Sequence, residues 1–428
     1  MPTLSITTPD GPETVPNPLV RYVFPVDMIR KKYFGPLSNA PNIPEQPNTV
    51  RHYDSVTGQS NHAAASRDLQ ASSAGRLSKT YTLLSNIGDY TSFSLYHWGG
   101  SDIEAIHGDI HNSVGGLIGG NTATGHMTIT SISAFDPAFW LHHANVDRLV
   151  ALWQALHPDQ YVQPIVNKHG TYYLPSGSTD TVDTPLAPFR SDDATTMWTA
   201  ATARDTTVFG YTYPELNITN ASTSELKRIV TEKVNRLYSP LGTPFTNRTR
   251  PTRSQRSINV AKAMSKVHAD TALQLGVNNM EIQWYLRVSI EAKAALNDMA
   301  MFLFIGQPIP DVDSWPRASN LIGSHTPYFA NNASEILTSL QQIDIPCSHT
   351  VAAAVNRGIL AHITPEVVVP FLARNVVAKV ASRRGAAMDG EYVPSVEISI
   401  LSREVQPRKN ISEFPVYGIL EERASIIA

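Results

Sequence analysis

Apolar and polar positions divide the chain into a helical first part and a strand-rich second part. From about residue 60 the apolar residues recur at helical spacing, which predicts helices over 67–84 and 102–114 and a third opening at Asp136-Pro137. In that third segment Phe139, Val146, Leu149, Val150, Trp153 and Leu156 fall three, four or seven apart and mark one buried face. Asp followed by Pro is a start signal, because the carboxylate caps free amides and Pro fits the first turn; His157-Pro158 ends the pattern. A fourth helix is predicted over 225–238, with Leu226, Ile229, Val230, Val234 and Leu237 as its apolar stripe. Residues 1–60 carry Pro and Asn without a period and read as irregular, while 158–222 reads as loops and short strands.

The second part changes period. Ile282, Trp284, Leu286, Val288 and Ile290 alternate with Gln283, Tyr285, Arg287, Ser289 and Glu291, the pattern of a half-buried strand. Residues 299–305 form a second strand, and Val396, Ile398 and Ile400 alternate again after the Asp389-Gly390 turn. Between the two parts lies a basic stretch rich in Thr and Pro, residues 241–257, which reads as a protease-sensitive linker. The expected fold is therefore α+β: a helical unit over 1–240, the linker, and a mostly β unit over 258–428, a sandwich with a few helices.

Composition narrows the function classes. At 428 residues the chain can bury two cores of ordinary size, and 42% hydrophobic with 17% charged residues is globular rather than disordered or fibrous. Lys plus Arg number 34 against 37 Asp plus Glu, so a net charge of −3 gives no reason to expect nucleic acid or an anionic membrane as partner. The single cysteine, Cys347, excludes an intrachain disulfide and a Cys-based metal site. The first residues have neither a basic nor an apolar signal region, and no apolar run approaches bilayer length, so an intracellular setting is expected.

Chemistry concentrates in two of the helices. On the helix over 102–114, His107 and His111 lie one turn apart with Glu104 one turn earlier, beside the apolar stripe of Ile103, Ile106, Ile110 and Val114. An isolated His-x-x-x-His pair is weak evidence for a metal. The next helix adds His142 and His143, with Asp147 and Arg148 one turn beyond. Three neutral imidazoles from two helices suit copper, zinc or iron, and do not suit magnesium or calcium.

Glu-x-x-His-x-x-x-His, followed by Phe-Asp-Pro-x-Phe-Trp-Leu-His-His-x-Asn-x-Asp-Arg, resembles the copper B region of fungal tyrosinases, a family that includes catechol oxidases and haemocyanins. The likeness extends through GGNTATGHM (119–127), the Tyr211-Thr-Tyr213 motif, and NLIGSHTPYFAN and FPVYG in the second part, which resembles the lid of fungal proenzymes. It implies copper held by His107, His111 and His143, with His142 a neighbour and not a ligand. Phe139 would pack beside the ligand ring, and Asp147 and Arg148 would anchor the helix. Glu104 would be the carboxylate that holds a water and helps deprotonate a phenol, or else a hydrogen-bond partner of a ligand. Gly108 stands where many tyrosinases carry Asn, which tilts the expectation toward diphenol oxidation.

The implied activity is oxidation of phenols or o-diphenols by dioxygen to o-quinones, as in melanin-type pigment synthesis, held latent by the lid, with Phe329 or Tyr328 as its plug. The family centre holds two coppers, because one cuprous ion supplies one electron. His52, His62 and His97 lack the Trp-His-Arg context of the other site, and the first residues resemble the segment that follows it, so one copper site is evident and the copper A region is expected to be missing. This shorter form is expected to be inactive. The alternatives are a non-catalytic single-copper remnant and a haemocyanin-like oxygen binder.

Overall fold

The computed structural model describes residues 3–30, 43, 45–54, 56–95, 102–116, 122–167, 170–191, 195–218, 220–239, 280–291, 299–325, 340–382 and 396–427. His97, the 241–257 linker, Tyr328 and Phe329 lie outside the described residues. The first part opens with a hairpin, β1 (Thr3–Thr8) and β2 (Gly11–Pro16), where the sequence suggested irregular backbone. Gly11 supplies the positive φ of its turn, 115°. After a short α1 (Val26–Arg30), the strands β3 (Tyr53–Asp54), β4 (Gln59–Ser60) and β5 (Thr122–Ala123) form a small sheet.

The helical unit comprises α2 (His62–Ala71), α3 (Ser73–Asn86), α4 (Tyr90–Ser94), α5 (Ile103–Gly115), α6 (Pro137–Leu156) and α7 (Thr223–Tyr238). The single helix expected over 67–84 is two, because the chain breaks at Ser72, whose amide still bonds back to the Asp68 carbonyl. Helix α6 begins as its Asp-Pro start predicts: Asp136 accepts from the Ala138 amide at 2.8 Å, and Pro137 occupies the first turn. Asp136 is fully buried and neutralised by a fork from Arg51, with contacts of 2.6 to 3.1 Å. Tyr81, Leu84, Phe93, Ile106, Leu152, Trp153 and Val234 meet in one core between these helices. On α7 the apolar stripe departs from expectation at Leu237, which is exposed, while Asn235 and Tyr238 face inward.

Between α6 and α7 come the short strands β6 (Ile165–Val166), β7 (Thr179–Asp180), β8 (Pro185–Arg190) and β9 (Met197–Thr199), as expected of a loop-rich stretch. The second part packs a five-stranded sheet against a three-stranded one. The larger sheet holds β10 (Glu281–Glu291), β13 (Leu340–Pro346), β15 (Val396–Gln406), β16 (Val416–Tyr417) and β17 (Glu421–Ile427), with β10 antiparallel to both β13 and β15. The smaller holds β11 (Met299–Ile305) between β12 (Leu321–His325) and β14 (Val376–Ser382).

Trp284, Leu286 and Val288 of β10 meet Met301 and Leu303 of β11 across the core, with α8 (Ser348–Asn356) and α9 (Pro365–Asn375) covering it. Strand β10 is not half-buried as its alternation suggested: Tyr285 and Ser289 on the other face are buried too. The helical unit covers that face, Tyr285 lying within hydrogen-bonding reach of Thr82 on α3.

The two parts share a polar seam. Arg408 NH1 donates to Asn235 Oδ1 at 2.8 Å, to Ser239 Oγ at 3.1 Å and to Tyr81 OH at 3.2 Å. Asn235 Nδ2 donates to the Ile411 and Glu413 carbonyls at 2.7 and 2.8 Å, and Ser85 Oγ lies 2.7 Å from Tyr417 OH. A second contact joins Arg317 to Asp68 at 2.8 Å. Asn235 on α7 thus faces inward because its amide satisfies backbone carbonyls of the 408–417 segment.

Candidate metal centre

Helices α5 and α6 bring four imidazoles together. Asp102 caps α5 through the Ala105 amide at 2.7 Å, and the helix then presents His107 and His111 one turn apart, ring centroids 4.7 Å apart. From α6, His142 and His143 come within 5.0 to 5.3 Å of both rings, centroid to centroid. His107, His111 and His142 each offer a ring nitrogen within 4.8 Å of the other two, and His143 Nε2 lies 3.1 Å from His107 Nε2. Among the described residues this is the one cluster of three or more His, Cys, Asp or Glu with metal-holding spacing.

Hydrogen bonds on the far side of each ring set the tautomers. His111 Nδ1 donates to the Met127 carbonyl at 2.6 Å, His143 Nδ1 to the Phe139 carbonyl at 2.9 Å, and His107 Nδ1 to Glu104 Oε2 at 2.9 Å. The lone pairs of these three rings are therefore on Nε2. His142 is turned the other way, its Nε2 donating to the His107 carbonyl at 3.1 Å. Burial pushes the His111 imidazolium down to about 4 and that of His142 to about 3, with repulsion from neighbouring imidazoles adding to it. His143 is lowered chiefly by burial as well. Burial thus favours the neutral form of His111, His142 and His143, the form a metal requires.

The spacing of His107 and His143 is the telling feature. With both Nδ1 atoms committed as donors, the two Nε2 atoms face each other at 3.1 Å, an approach that calls for a proton or a metal ion between them. The donor set, neutral nitrogens on two rigid helices, fits copper or zinc and offers nothing to a hard oxygen-seeking ion.

The surrounding residues hold this geometry. Phe139 stacks on His143 with centroids 3.8 Å apart and touches His111 edge-on at 5.8 Å. Asp147 accepts from Tyr211 OH at 2.8 Å and Tyr213 OH at 2.5 Å; burial, then bonding to this carboxylate, pushes the Tyr211 phenol up to about 12. Arg148 forks onto Glu215 at 2.5 and 3.1 Å and donates to Tyr238 OH at 2.6 Å. Glu104 is about half exposed, so the cluster opens on its side. Gly108 is buried on α5.

Of the upstream histidines, His52 is buried against the Ser113 carbonyl at 2.9 Å, and His62 begins α2; neither joins the cluster. Sequence reasoning missed the Met127 carbonyl, Glu215 and the attachment of Tyr211 and Tyr213 to Asp147. The paired tyrosines at 211 and 213 were the available signal, but their partner lies 64 to 66 positions away.

Comparison with known proteins agrees with this geometry. A family model described as the common central domain of tyrosinase matches residues 3–156, and one described as the tyrosinase C-terminal domain matches residues 283–400. A tyrosinase of Podospora anserina is 29% identical over 364 residues, covering 75% of this chain and 60% of its own length. Polyphenol oxidase 4 of Agaricus bisporus is 33% identical over 243 residues, covering 55% and 38% respectively. The solved structure of recombinant mushroom tyrosinase superposes with a TM-score of 0.74 at 23% identity, over 99% of this chain and 72% of the other. This chain thus spans under two thirds of the length of both curated relatives. With two characteristic domains in order and the four histidines gathered on α5 and α6, the chain belongs to the tyrosinase family.

Proposed function

We propose that the chain forms the copper B half of a copper oxidase that turns phenols or o-diphenols into o-quinones, with dioxygen as oxidant and the C-terminal unit holding the site latent. His107, His111 and His143 are the ligands in this reading, and His142 a neighbour whose Nε2 proton is spent on the His107 carbonyl. The observation that carries it is the pair of Nε2 atoms 3.1 Å apart, on rings whose far nitrogens are already engaged, within a cluster of four imidazoles. Copper, when bound, supplies one-electron redox chemistry, so oxidation of a diphenol by two electrons calls for a partner site.

The residues of this chain contribute orientation and proton handling. Glu104, bonded to His107 and open to solvent, is placed to accept a phenolic proton directly or through water. Phe139 and the Met127 carbonyl keep the rings in register, and Asp147 and Arg148 hold α6 against the 211–238 region. Gly108 leaves no side chain to orient a water, which favours diphenols over monophenols as substrates. Pigment synthesis is the physiological setting this chemistry suggests.

Metal analysis together with catechol oxidation tests the reading. The copper-loaded chain should bind copper through a site lost in His143→Ala and retained in His142→Ala. Quinone should form once the linker is cut and a partner site is present. Binding lost in His142→Ala and kept in His143→Ala would reassign the third ligand. One copper without turnover would support the remnant, and reversible oxygen uptake without quinone the carrier.

A further inference from the structure

A cavity of about 350 Å³ lies where the helical unit meets the C-terminal unit. One wall is α2, α3 and α5, with Gly75, Lys79, Glu104 and Gly108; the other comes from 316–325 and 345–349, including His325. Glu104 stands at its border with the metal centre, and none of the four clustered histidines lines it. The volume falls in the range of small-molecule sites.

Its lining carries three cations and three carboxylates, and two of the cations are held in ion pairs. Arg76 pairs with Asp109 and Arg317 with Asp68, both at 2.8 Å, and Glu104 is bonded to His107. Burial keeps both His325 and His349 neutral, with Lys79 adding to the effect on His325. Lys79 forms no ion pair among the described residues. Much of the remaining lining is small or apolar, such as Ala74, Gly75, Ala105, Leu321 and Ile345. Such a space matches a ligand with one negative end and a compact apolar body.

We infer that this cavity binds a small monocarboxylate, its carboxylate on Lys79 and its apolar body between α3 and β12. Aromatic monocarboxylates have the right size and charge. Hydrated inorganic anions gain nothing from the apolar walls. Because both units contribute walls, the ligand binds only the docked arrangement and stabilises it by mass action.

Thermal unfolding of the full, metal-free chain titrated with benzoate tests this, so a failure of the copper reading does not affect it. Benzoate should raise the Tm saturably, while the uncharged benzamide and inorganic phosphate should not. Lys79→Met should weaken benzoate by about tenfold or more, the loss of one charge-assisted contact. Lys79→Arg should retain binding. Gly75→Leu fills the space from a helix position where a Cβ meets nothing within 4 Å, and should abolish the shift even if Lys79→Met fails to fold. No saturable shift with benzoate, an equal shift with phosphate, or full benzoate binding in Gly75→Leu overturns the proposal.

Discussion

Asp147 shows how a side chain that does not touch the cluster can govern it. Its carboxylate collects two phenolic hydroxyls at 2.8 and 2.5 Å and so holds the turn of α6 that follows His143. Replacing it with Ala frees that turn, takes the acceptor from the exposed Tyr211 hydroxyl and leaves Tyr213 only the Ala144 carbonyl at 2.9 Å. Copper affinity of Asp147→Ala should fall about tenfold to a hundredfold, the usual cost of losing such support, and competitive chelator titration reads it directly. Tyr211→Phe, which keeps the Tyr213 bond, should lose less. An Asp147→Ala protein that binds copper as tightly as the parent would show that α6 needs no such tether.

At the scale of elements, the end of α5 is set by a close approach rather than by capping alone. A Cβ on Gly115 would lie 2.0 Å from Thr128 Oγ1 and 2.5 Å from its amide, so only glycine lets the helix end pass the 126–128 turn. That turn carries the Met127 carbonyl to which His111 is bonded. Gly115→Ala should therefore cost about 1–3 kcal/mol by overpacking and lower copper affinity with it; urea unfolding and metal titration check the two effects together. Stability unchanged within error would mean the turn yields freely.

The whole molecule depends on the seam centred on Arg408. Five hydrogen bonds link Arg408 and Asn235 to groups across it or beside it, so the C-terminal unit is tied to α3 and α7 well away from the linker. Cutting within 241–257 should leave the two pieces bound, eluting together in gel filtration, whereas Arg408→Ala should let them separate. Glu281 lies at the same seam, and burial pushes its carboxyl up to about 7 against the pull of Arg408. Below pH 4.5 both folded and unfolded chains hold this proton and nothing is lost. As pH rises to 7 the unfolded chain releases it first, and stability falls by on the order of 2 kcal/mol. Glu281→Gln should accordingly melt higher than the parent at pH 8 and alongside it at pH 4; a lower Tm at pH 8 would refute the assignment.

Local pattern was enough for helices α5 and α6, strands β10, β11 and β15, and the placing of Glu104, His107, His111 and His143 on neighbouring faces. Period and capping act over a few residues, and both are written in consecutive letters. The break at Ser72, the β1–β2 hairpin and the exposure of Leu237 were not legible, because each is a contest between local propensity and contacts made elsewhere. The remainder belonged to tertiary structure: the second buried face of β10, the Met127 carbonyl behind His111, the tyrosines on Asp147 and the cavity shared by the two units. Each joins segments distant in sequence. In the same way, His142 and His143 are adjacent identical letters, and only the carbonyl each ring meets in the folded chain decides which nitrogen carries its lone pair.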